Sequence, residues 1–200
     1  MRGYLSLGFL TYLMLGCQPA APRLGADSSG MEIRFQDLMP DAKPGKQGEL
    51  TLGGTLLPVQ ILSQKHDNLF EIDSLSHDVV VAKEVYQDRM DTFSLEAVGD
   101  EIMIPPIPVL RSPMKVGDSW TWQGHCIGQA DHTAKATIAS RSDKIYSGLS
   151  ELESVVVEMD LQIEVPNSTA QRRFVFWFVP GKGLLKREFG SASVRQPLSQ

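Results

Sequence analysis

The chain has 200 residues, with 19 Lys and Arg against 24 Asp and Glu, which gives a formal net charge of −5 at pH 7. This modestly acidic balance argues against nucleic acid as a partner, because phosphate contacts require a basic patch. The length allows one domain with a sizeable core. Composition therefore excludes a nucleic-acid binder but not yet any other class of globular protein.

The first residues predict a secretory signal. A basic start, Met1-Arg2, precedes an apolar run from Tyr4 to Leu15 that is too short to span a bilayer. The run ends in Leu13-Met14-Leu15-Gly16-Cys17, which resembles the lipobox of bacterial lipoproteins. In that family a small residue precedes a cysteine that is lipidated, with palmitate among the acyl chains, and becomes the mature N-terminus. The resemblance implies a signal peptide over 1–16 and lipid attachment at Cys17.

The residues after the cysteine predict where the protein is held. Gln18, rather than aspartate, follows Cys17, and by resemblance to enterobacterial sorting this favours the outer membrane, facing the periplasm, in a host with two membranes. Residues 17–30 are rich in small residues and proline and predict a flexible tether. If Cys17 is acylated, Cys126 has no partner left for an intramolecular disulfide.

Residues 31–192 predict one β-rich domain with few or no helices, followed by a C-terminal tail over 193–200. Short apolar runs are separated by polar turns about every 8–12 residues, which favours an antiparallel meander bent into a curved sheet or a half-open β-barrel. The candidate strands before residue 105 are Glu49–Leu52, Leu56–Leu62, Asn68–Ile72, Asp78–Tyr86, Thr92–Val98 and Glu101–Ile104. Pro105-Pro106-Ile107-Pro108 is predicted to cross between two halves of the sheet, because prolines cannot pair regularly.

The clearest pattern lies between residues 153 and 189. From Ser154 to Val165 apolar and polar residues alternate, which predicts one long strand with a buried face and a solvent face. A second strand is predicted over Arg173–Val179 and a third over Leu184–Phe189. The buried face is predicted to hold Val155, Val157, Met159, Leu161, Ile163 and Val165, and the solvent face Glu158, Asp160, Gln162 and Glu164.

Two short motifs carry a family resemblance. Pro113-Met114-Lys115-Val116-Gly117-Asp118-Ser119-Trp120-Thr121-Trp122 and Trp177-Phe178-Val179-Pro180-Gly181-Lys182-Gly183-Leu184-Leu185-Lys186 resemble the opening strand and terminal hairpin of uncharacterised bacterial secreted proteins and lipoproteins. The similarity covers about residues 90 to 190. It implies an antiparallel, half-open β-barrel and carries over no catalytic residue. Some similar envelope folds hold lipids or lipoproteins in their concavity.

The residues that could carry chemistry do not form a convincing set. Gly117-Asp118-Ser119 matches the nucleophile block of one serine hydrolase family, but no Asp-x-x-His supplies a base, so we interpret the triplet as a turn. His125 and His132 could share a weak metal site only if they faced each other across a hairpin. We therefore predict no enzymatic activity, no metal and no cofactor.

The three tryptophans are the remaining candidates. Trp120, Trp122 and Trp177 could line an apolar ligand pocket or belong to the core. The leading expectation is a lipid-anchored cell-envelope protein that binds or carries an apolar small molecule. The alternative is a structural or protein-interaction module that binds another envelope protein. A deep apolar cavity would favour the first, and a filled interior would favour the second.

Overall fold

The computed structural model describes residues 32–33, 35–39, 46–52, 55–147, 150–190 and 192–195. Over these residues the chain is nearly all β-strand, and the short helix α1 spans Phe35–Leu38. The strands are β1 (Glu32–Ile33), β2 (Lys46–Leu52), β3 (Thr55–His66), β4 (Leu69–Ser76), β5 (Val79–Asp88), β6 (Thr92–Val98), β7 (Glu101–Arg111), β8 (Met114–Lys115), β9 (Ser119–Ile127), β10 (Asp131–Ser147), β11 (Ser150–Val165), β12 (Ser168–Val179), β13 (Gly183–Phe189) and β14 (Ala192–Arg195). The predicted mainly β fold with few helices is confirmed.

The strands other than β1 and β8 form an antiparallel barrel in the order β10-β11-β12-β13-β14-β2-β3-β4-β5-β6-β7-β9, in which β9 returns to β10. Neighbours in sequence pair by hairpins, as predicted for a meander. We call the junction of β7 and β9 the seam. Its ladder is short, because β7 pairs with β9 only from Ile102 to Ile104, opposite Ile127 to His125. Beyond Ile104 that ladder stops, so the curved sheet is held together there by side chains.

The turns of the barrel fall at two ends. At the first, Gly181 N–H donates to the carbonyl of Asp37 at 2.7 Å, so α1 lies beside the turn between β12 and β13. β1 pairs with β8 next to the same end. We call this the α1 end. The opposite, distal end carries the turns at 77–78, 99–100 and 166–167.

The long strand β11 has the predicted two faces from Val157 to Glu164, whereas Ser154 to Val157 are buried on both faces. Val157 and Leu161 are fully buried, Asp160 is exposed, and Glu158 and Gln162 are partly exposed. β11 pairs with β12 from Val155–Phe178 to Val165–Ser168. The alternation therefore sets the register, since a slip of one residue would turn the acidic side chains inward.

Other strands depart from the sequence prediction. The prediction that Pro105–Pro108 crosses between two halves is wrong: β7 continues to Arg111 and pairs with β6 at Ile107 and Pro108, around bulges. The bulges accommodate prolines, which have no N–H to donate. β10 is a long strand that the sequence pattern did not indicate. β14 extends the sheet to Arg195, past the expected domain boundary at residue 192.

The barrel interior is filled by side chains. Tyr86 and Phe93 stack with ring centroids 4.6 Å apart, and Phe178 meets Phe93 edge-on at 6.5 Å. Phe35 and Leu38 of α1 join the same buried cluster. Within the described residues no helix is long and apolar enough to cross a membrane.

Candidate functional site

Trp120 and Trp122 lie on the inner face of β9, at the seam where the β7–β9 ladder ends. Both are buried. The Nε1–H of Trp120 donates to the carbonyl of Pro108, and that of Trp122 donates to the carbonyl of Pro105, each at 2.9 Å. The indoles therefore replace the ladder bonds that the proline-rich half of β7 cannot complete, and they join the two strands across the seam.

Close packing at this seam requires a glycine. A Cβ at Gly124 would lie 2.3 Å from the carbonyl oxygen of Ile104 and 2.6 Å from Cζ2 of Trp122. The ring of Trp122 thus covers a backbone position with no room for a side chain. On the other indole, the guanidinium of Arg111 lies 4.7 Å from the ring centre of Trp120, a cation–π contact. The pair is packed and hydrogen-bonded at both rings.

Trp177 is separate from the other two tryptophans. It lies on the outer face of β12, partly exposed, with Lys186 Nζ 4.2 Å from its ring centre. Trp177 therefore does not belong to the main core, one of the two positions that the sequence left open for it. Its neighbours on that face include a small apolar cluster of Ile145, Leu152, Val179 and Leu185. The structure brings together Trp120 and Trp122 but not Trp177, so the three do not line one pocket.

Two shallow grooves lie on the outer surface. The groove beside Trp177 encloses about 300 Å³ and is lined by Arg141, Glu158, Arg173, Val175, Trp177, Glu188 and Gly190. A second, of about 400 Å³, follows Asp160 to Gln162 and Gln171 to Arg173. Their linings are mainly polar and charged, so neither resembles a site for an apolar molecule.

The acidic row of β11 is partly neutralised by arginines. Glu158 accepts from Arg141 Nε at 2.9 Å and from Arg173 Nη2 at 2.7 Å, and Arg141 Nη1 donates to Asp143 at 2.6 Å. Burial raises the pKa of the Asp143 carboxyl, but the hydrogen bonds from Arg141 and from the backbone N–H of Lys144, together with the positive charges of Arg141 and Lys186, outweigh it and lower that pKa. Arg141 and Arg173 thus pair with the solvent face of β11 at Glu158, whereas Arg172 pairs with Glu101. These contacts form a surface network of modest energy.

An ion pair is buried inside the barrel. Arg187 of β13 and Glu84 of β5 are both almost inaccessible, and Arg187 Nε donates to Glu84 at 2.6 Å. Tyr86 O–H donates to the other oxygen of the same carboxylate, also at 2.6 Å. Nη1 and Nη2 of Arg187 have no hydrogen-bond partner among the described residues. The contact joins opposite walls of the barrel, since β13 and β5 are not neighbours in the sheet.

Burial and the carboxylate raise the pKa of Tyr86 well above its usual value, and Arg187 opposes the shift. Sequence reasoning missed this cluster because charged residues were assigned to solvent faces. The alternation along β13 did contain a signal. Arg187 is two residues from Phe189 and so shares its face, and the two are paired with Phe176 and Phe174 of β12, respectively. Glu84 likewise shares its face with Tyr86.

The serine of the Gly117-Asp118-Ser119 triplet has no catalytic partner in the described part of the chain. Asp118 Oδ2 accepts from the N–H of Lys115 at 2.9 Å, and Ser140 Oγ donates to the carbonyls of Lys115 and Asp118. Gly117 has φ of 97°, which suits glycine. The triplet builds the turn that precedes β9.

His125 and His132 do not meet. His125 is opposite Thr133 and His132 is opposite Cys126, so the two imidazoles lie on opposite faces of the sheet. His125 Nδ1 is 2.8 Å from Asp131. Among the described residues no three His, Cys, Asp or Glu side chains cluster as metal ligands. Cys126 is buried, which raises the pKa of its thiol, with Glu101 adding to the shift and Arg172 opposing it.

These features define a filled antiparallel β-barrel with an aromatic seam and a charged outer surface. Cys17 lies outside the described residues, so lipid attachment there stays a prediction.

Comparison with known proteins gives fold-level similarity only. No protein-family profile matches the chain, and no curated protein matches its sequence. A protein of Bacteroides fragilis with a YmcC-like fold, provisionally described as exported, is 12% identical, with TM-score 0.45, over 82% of this chain and 99% of the other. The hypothetical lipoprotein YmcC of Escherichia coli is 13% identical, with TM-score 0.46, over 79% and 90%. A protein of Parabacteroides distasonis, provisionally described as a lipoprotein, is 8% identical, with TM-score 0.41, over 79% and 95%. Scores below 0.5 assign no function to this chain.

Proposed function

We propose that this protein is a lipid-anchored, non-enzymatic component of the bacterial cell envelope that acts by binding another envelope protein at its surface. The anchor is supported by the basic start, the short apolar run and the Gly16-Cys17 junction. Gln18 supports the outer membrane, facing the periplasm, in a host with two membranes. The absence of an assembled acid, base and nucleophile around Ser119, among the described residues, agrees with a non-enzymatic role.

The filled interior of the barrel is the observation that favours a surface-binding role over a ligand-carrier role. Stacked aromatic rings and the Arg187–Glu84 pair occupy the barrel between its walls. A carrier needs a concave apolar site that encloses most of its ligand, whereas the two grooves described above are shallow and most of the residues that line them are polar or charged. A protein with a packed core and varied outer surfaces is better suited to contact with a macromolecule.

An apolar-ligand carrier is the second candidate, and the seam is the feature that favours it. Past Ile104 the strands β7 and β9 are joined by the indoles of Trp120 and Trp122 rather than by a ladder. Outside them, Ile102 and Ile104 are exposed. Opening of this seam would give an apolar molecule a route to aromatic side chains.

Membrane fractionation tests the anchor. Cys17→Ser should move the protein from the membrane to the soluble fraction, because acyl chains contribute about 0.8 kcal/mol per buried CH₂ to membrane binding. Cys126→Ser is the matched control, since that thiol is buried in the barrel, and it should leave the protein at the membrane. A Cys17→Ser variant that stays membrane-bound would contradict the lipoprotein assignment.

Mass spectrometry of the natively purified chain separates the two roles. The surface-binding proposal expects no apolar small molecule at a stoichiometric level after detergent exchange. One such molecule per chain, lost in a folded Trp122→Ala variant, would instead establish the carrier role.

A further inference from the structure

The start of β5 exposes three consecutive valines at the distal end of the barrel. Val79, Val80 and Val81 are 63%, 51% and 40% exposed. On a strand with one buried face, exposure should alternate. Here it does not alternate, so this part of β5 extends beyond the packed wall and presents both faces to water. β-Branched residues favour buried or half-buried sheet positions, which makes an exposed run of them a candidate interaction surface.

The same segment has a strand on one side only. β5 pairs with β4 from Val79–Ser76 onward. On its other side, the ladder with β6 begins at Glu84–Val98, and Gly99 N–H donates to the carbonyl of Lys83 at 2.8 Å. Within the described residues, no backbone pairs with Val79–Ala82 on that side. We call this segment the β5 edge.

The charges around the β5 edge indicate what it would bind. Asp78 directly precedes the β5 edge. Asp100 lies in the turn between β6 and β7, just after the point where β6 ends beside β5. Neither carboxylate is in an ion pair among the described side chains, while Lys83 is already paired with Glu71 at 3.3 Å. Two free carboxylates beside an apolar edge favour a segment that carries lysine or arginine.

The position and charge of the edge argue against a membrane surface and against a second copy of this chain. β1 and α1 lie at the opposite end of the barrel, so a tether over 17–30 would join the domain on the far side from the β5 edge. Anionic lipid would also be repelled by Asp78 and Asp100. A second copy would present its own Asp78–Ala82, which contains no Lys or Arg to meet those carboxylates, and the adjoining Lys83 is already paired with Glu71.

We propose that the β5 edge, Val79–Ala82, docks an extended segment of a partner protein that carries alternating apolar residues and Lys or Arg. The segment adds to the sheet as a strand beside β5, in the place that β6 leaves open. Its backbone satisfies the unpaired edge, its apolar side chains cover the valines, and its basic residues meet Asp78 and Asp100. This inference rests on the proposed function and locates its binding site.

A peptide titration tests the chemistry of the site. The full-length chain in detergent micelles is titrated with an eight-residue peptide of alternating valine and lysine, and with its valine–glutamate counterpart. Amide hydrogen exchange at Val79–Ala82 should slow with the lysine peptide and not with the glutamate peptide, and added salt should reduce the effect. No slowing at these amides, or equal slowing with both peptides, would overturn the proposal.

Variants provide matched controls for that titration. Val80→Lys should weaken binding of the lysine peptide at least tenfold, because it adds a like charge to the edge. Met90→Lys makes the same type of change at the α1 end, where Met90 is 95% exposed, and should leave binding unchanged. Asp78→Asn should weaken binding at low salt only. Equal effects of Val80→Lys and Met90→Lys would contradict the location.

Photocrosslinking in the native host tests the occupant. A photoreactive amino acid replaces Val81 in one strain and Met90 in another, and the adducts are mapped by mass spectrometry. The proposal expects a Val81 adduct on a protein segment with apolar and basic residues. A lipid adduct or a dimer of this chain at Val81 would overturn it. Protein adducts at Met90 alone would leave the proposed function standing and refute the β5 edge, whereas no protein adduct at either site would count against both.

Discussion

Among single residues, Arg187 and Glu84 form a contact with a large expected effect on stability. They are 103 positions apart in sequence, both are buried, and they hold opposite walls of the barrel together. Charges in a core are costly unless they are paired. Removing one partner therefore leaves the other as a buried charge without a counter-ion, whereas removing both also removes the cost of desolvating the two charges.

Arg187→Met should lower the free energy of unfolding by about 3–5 kcal/mol, because Glu84 is left as a buried charge without its counter-ion. The double variant Arg187→Met with Glu84→Leu should recover much of that loss. Urea unfolding of the Cys17→Ser form measures both. If the double variant lost as much as the two single variants added together, the pair would not be coupled.

Tyr86 gives the core a pH dependence. Its folded-state pKa is raised, so its phenol stays protonated after the unfolded chain has begun to ionise. The contribution of Tyr86 to the free energy of unfolding is therefore complete below the ordinary tyrosine pKa. It is lost as the pH rises from that value through the raised pKa of the folded state. Tyr86→Phe should cost about 1–3 kcal/mol at neutral pH, since Glu84 loses a donor. It should also flatten the decline of stability at alkaline pH, measured by urea unfolding from pH 8 to 11. An unchanged decline would assign it to other groups.

At the scale of elements, β11 tests whether alternation decides burial. Leu161→Ala should lower the free energy of unfolding by about 2–5 kcal/mol, because it opens a cavity among fully buried side chains. Gln162→Ala is the control on the opposite face and should change stability by no more than about 0.5 kcal/mol. Chemical denaturation of both variants in the Cys17→Ser form makes the comparison. Equal losses would contradict a one-sided strand.

The seam between β7 and β9 allows a second prediction at this scale, which concerns the close packing around Gly124. Gly124→Ala should destabilise the fold by several kcal/mol, because the added Cβ would collide with the backbone oxygen of Ile104 and with the Trp122 ring. Gly128→Ala is the matched control, since its Cβ would meet only the flexible side chain of Glu101 at 3.3 Å. Thermal unfolding should show a large fall in Tm for the first and a small change for the second.

Sequence alone predicted the inner and outer faces of strands in which polarity alternates. It did not predict the faces of strands in which polarity does not alternate. β11 has charged residues at every outward position from Glu158 to Glu164 except Gln162, so its inner face was evident. β12 is apolar on both faces around Trp177, and the pattern could not say which face is inside. β10 buries the small residues Ala134 and Ala136, which give a weak signal. Arg187 was missed because burial of a charge depends on a partner 103 residues away.

For the whole molecule, the architecture followed from the strand spacing, while the candidate site did not. Trp120 and Trp122 share one face of β9, as their spacing of two indicates, but nothing local shows that β7 runs past them. Nor does the sequence show that the valines after Asp78 form an edge, because that depends on where β6 ends beside β5. Interaction surfaces of this kind arise from strand ends that only the register reveals.

The ring of strands also imposes an order of assembly. β2 is the first strand of the barrel and its neighbour β14 is the last, joined through Ser193–Arg195 and Glu49–Thr51. During synthesis one edge of β2 therefore remains unpaired until nearly the whole chain has been made. Contacts between such distant residues slow folding, and a waiting edge is prone to pair with other chains. Newly made copies would thus be more exposed to mispairing with other chains over this interval than copies of a protein closed by local hairpins.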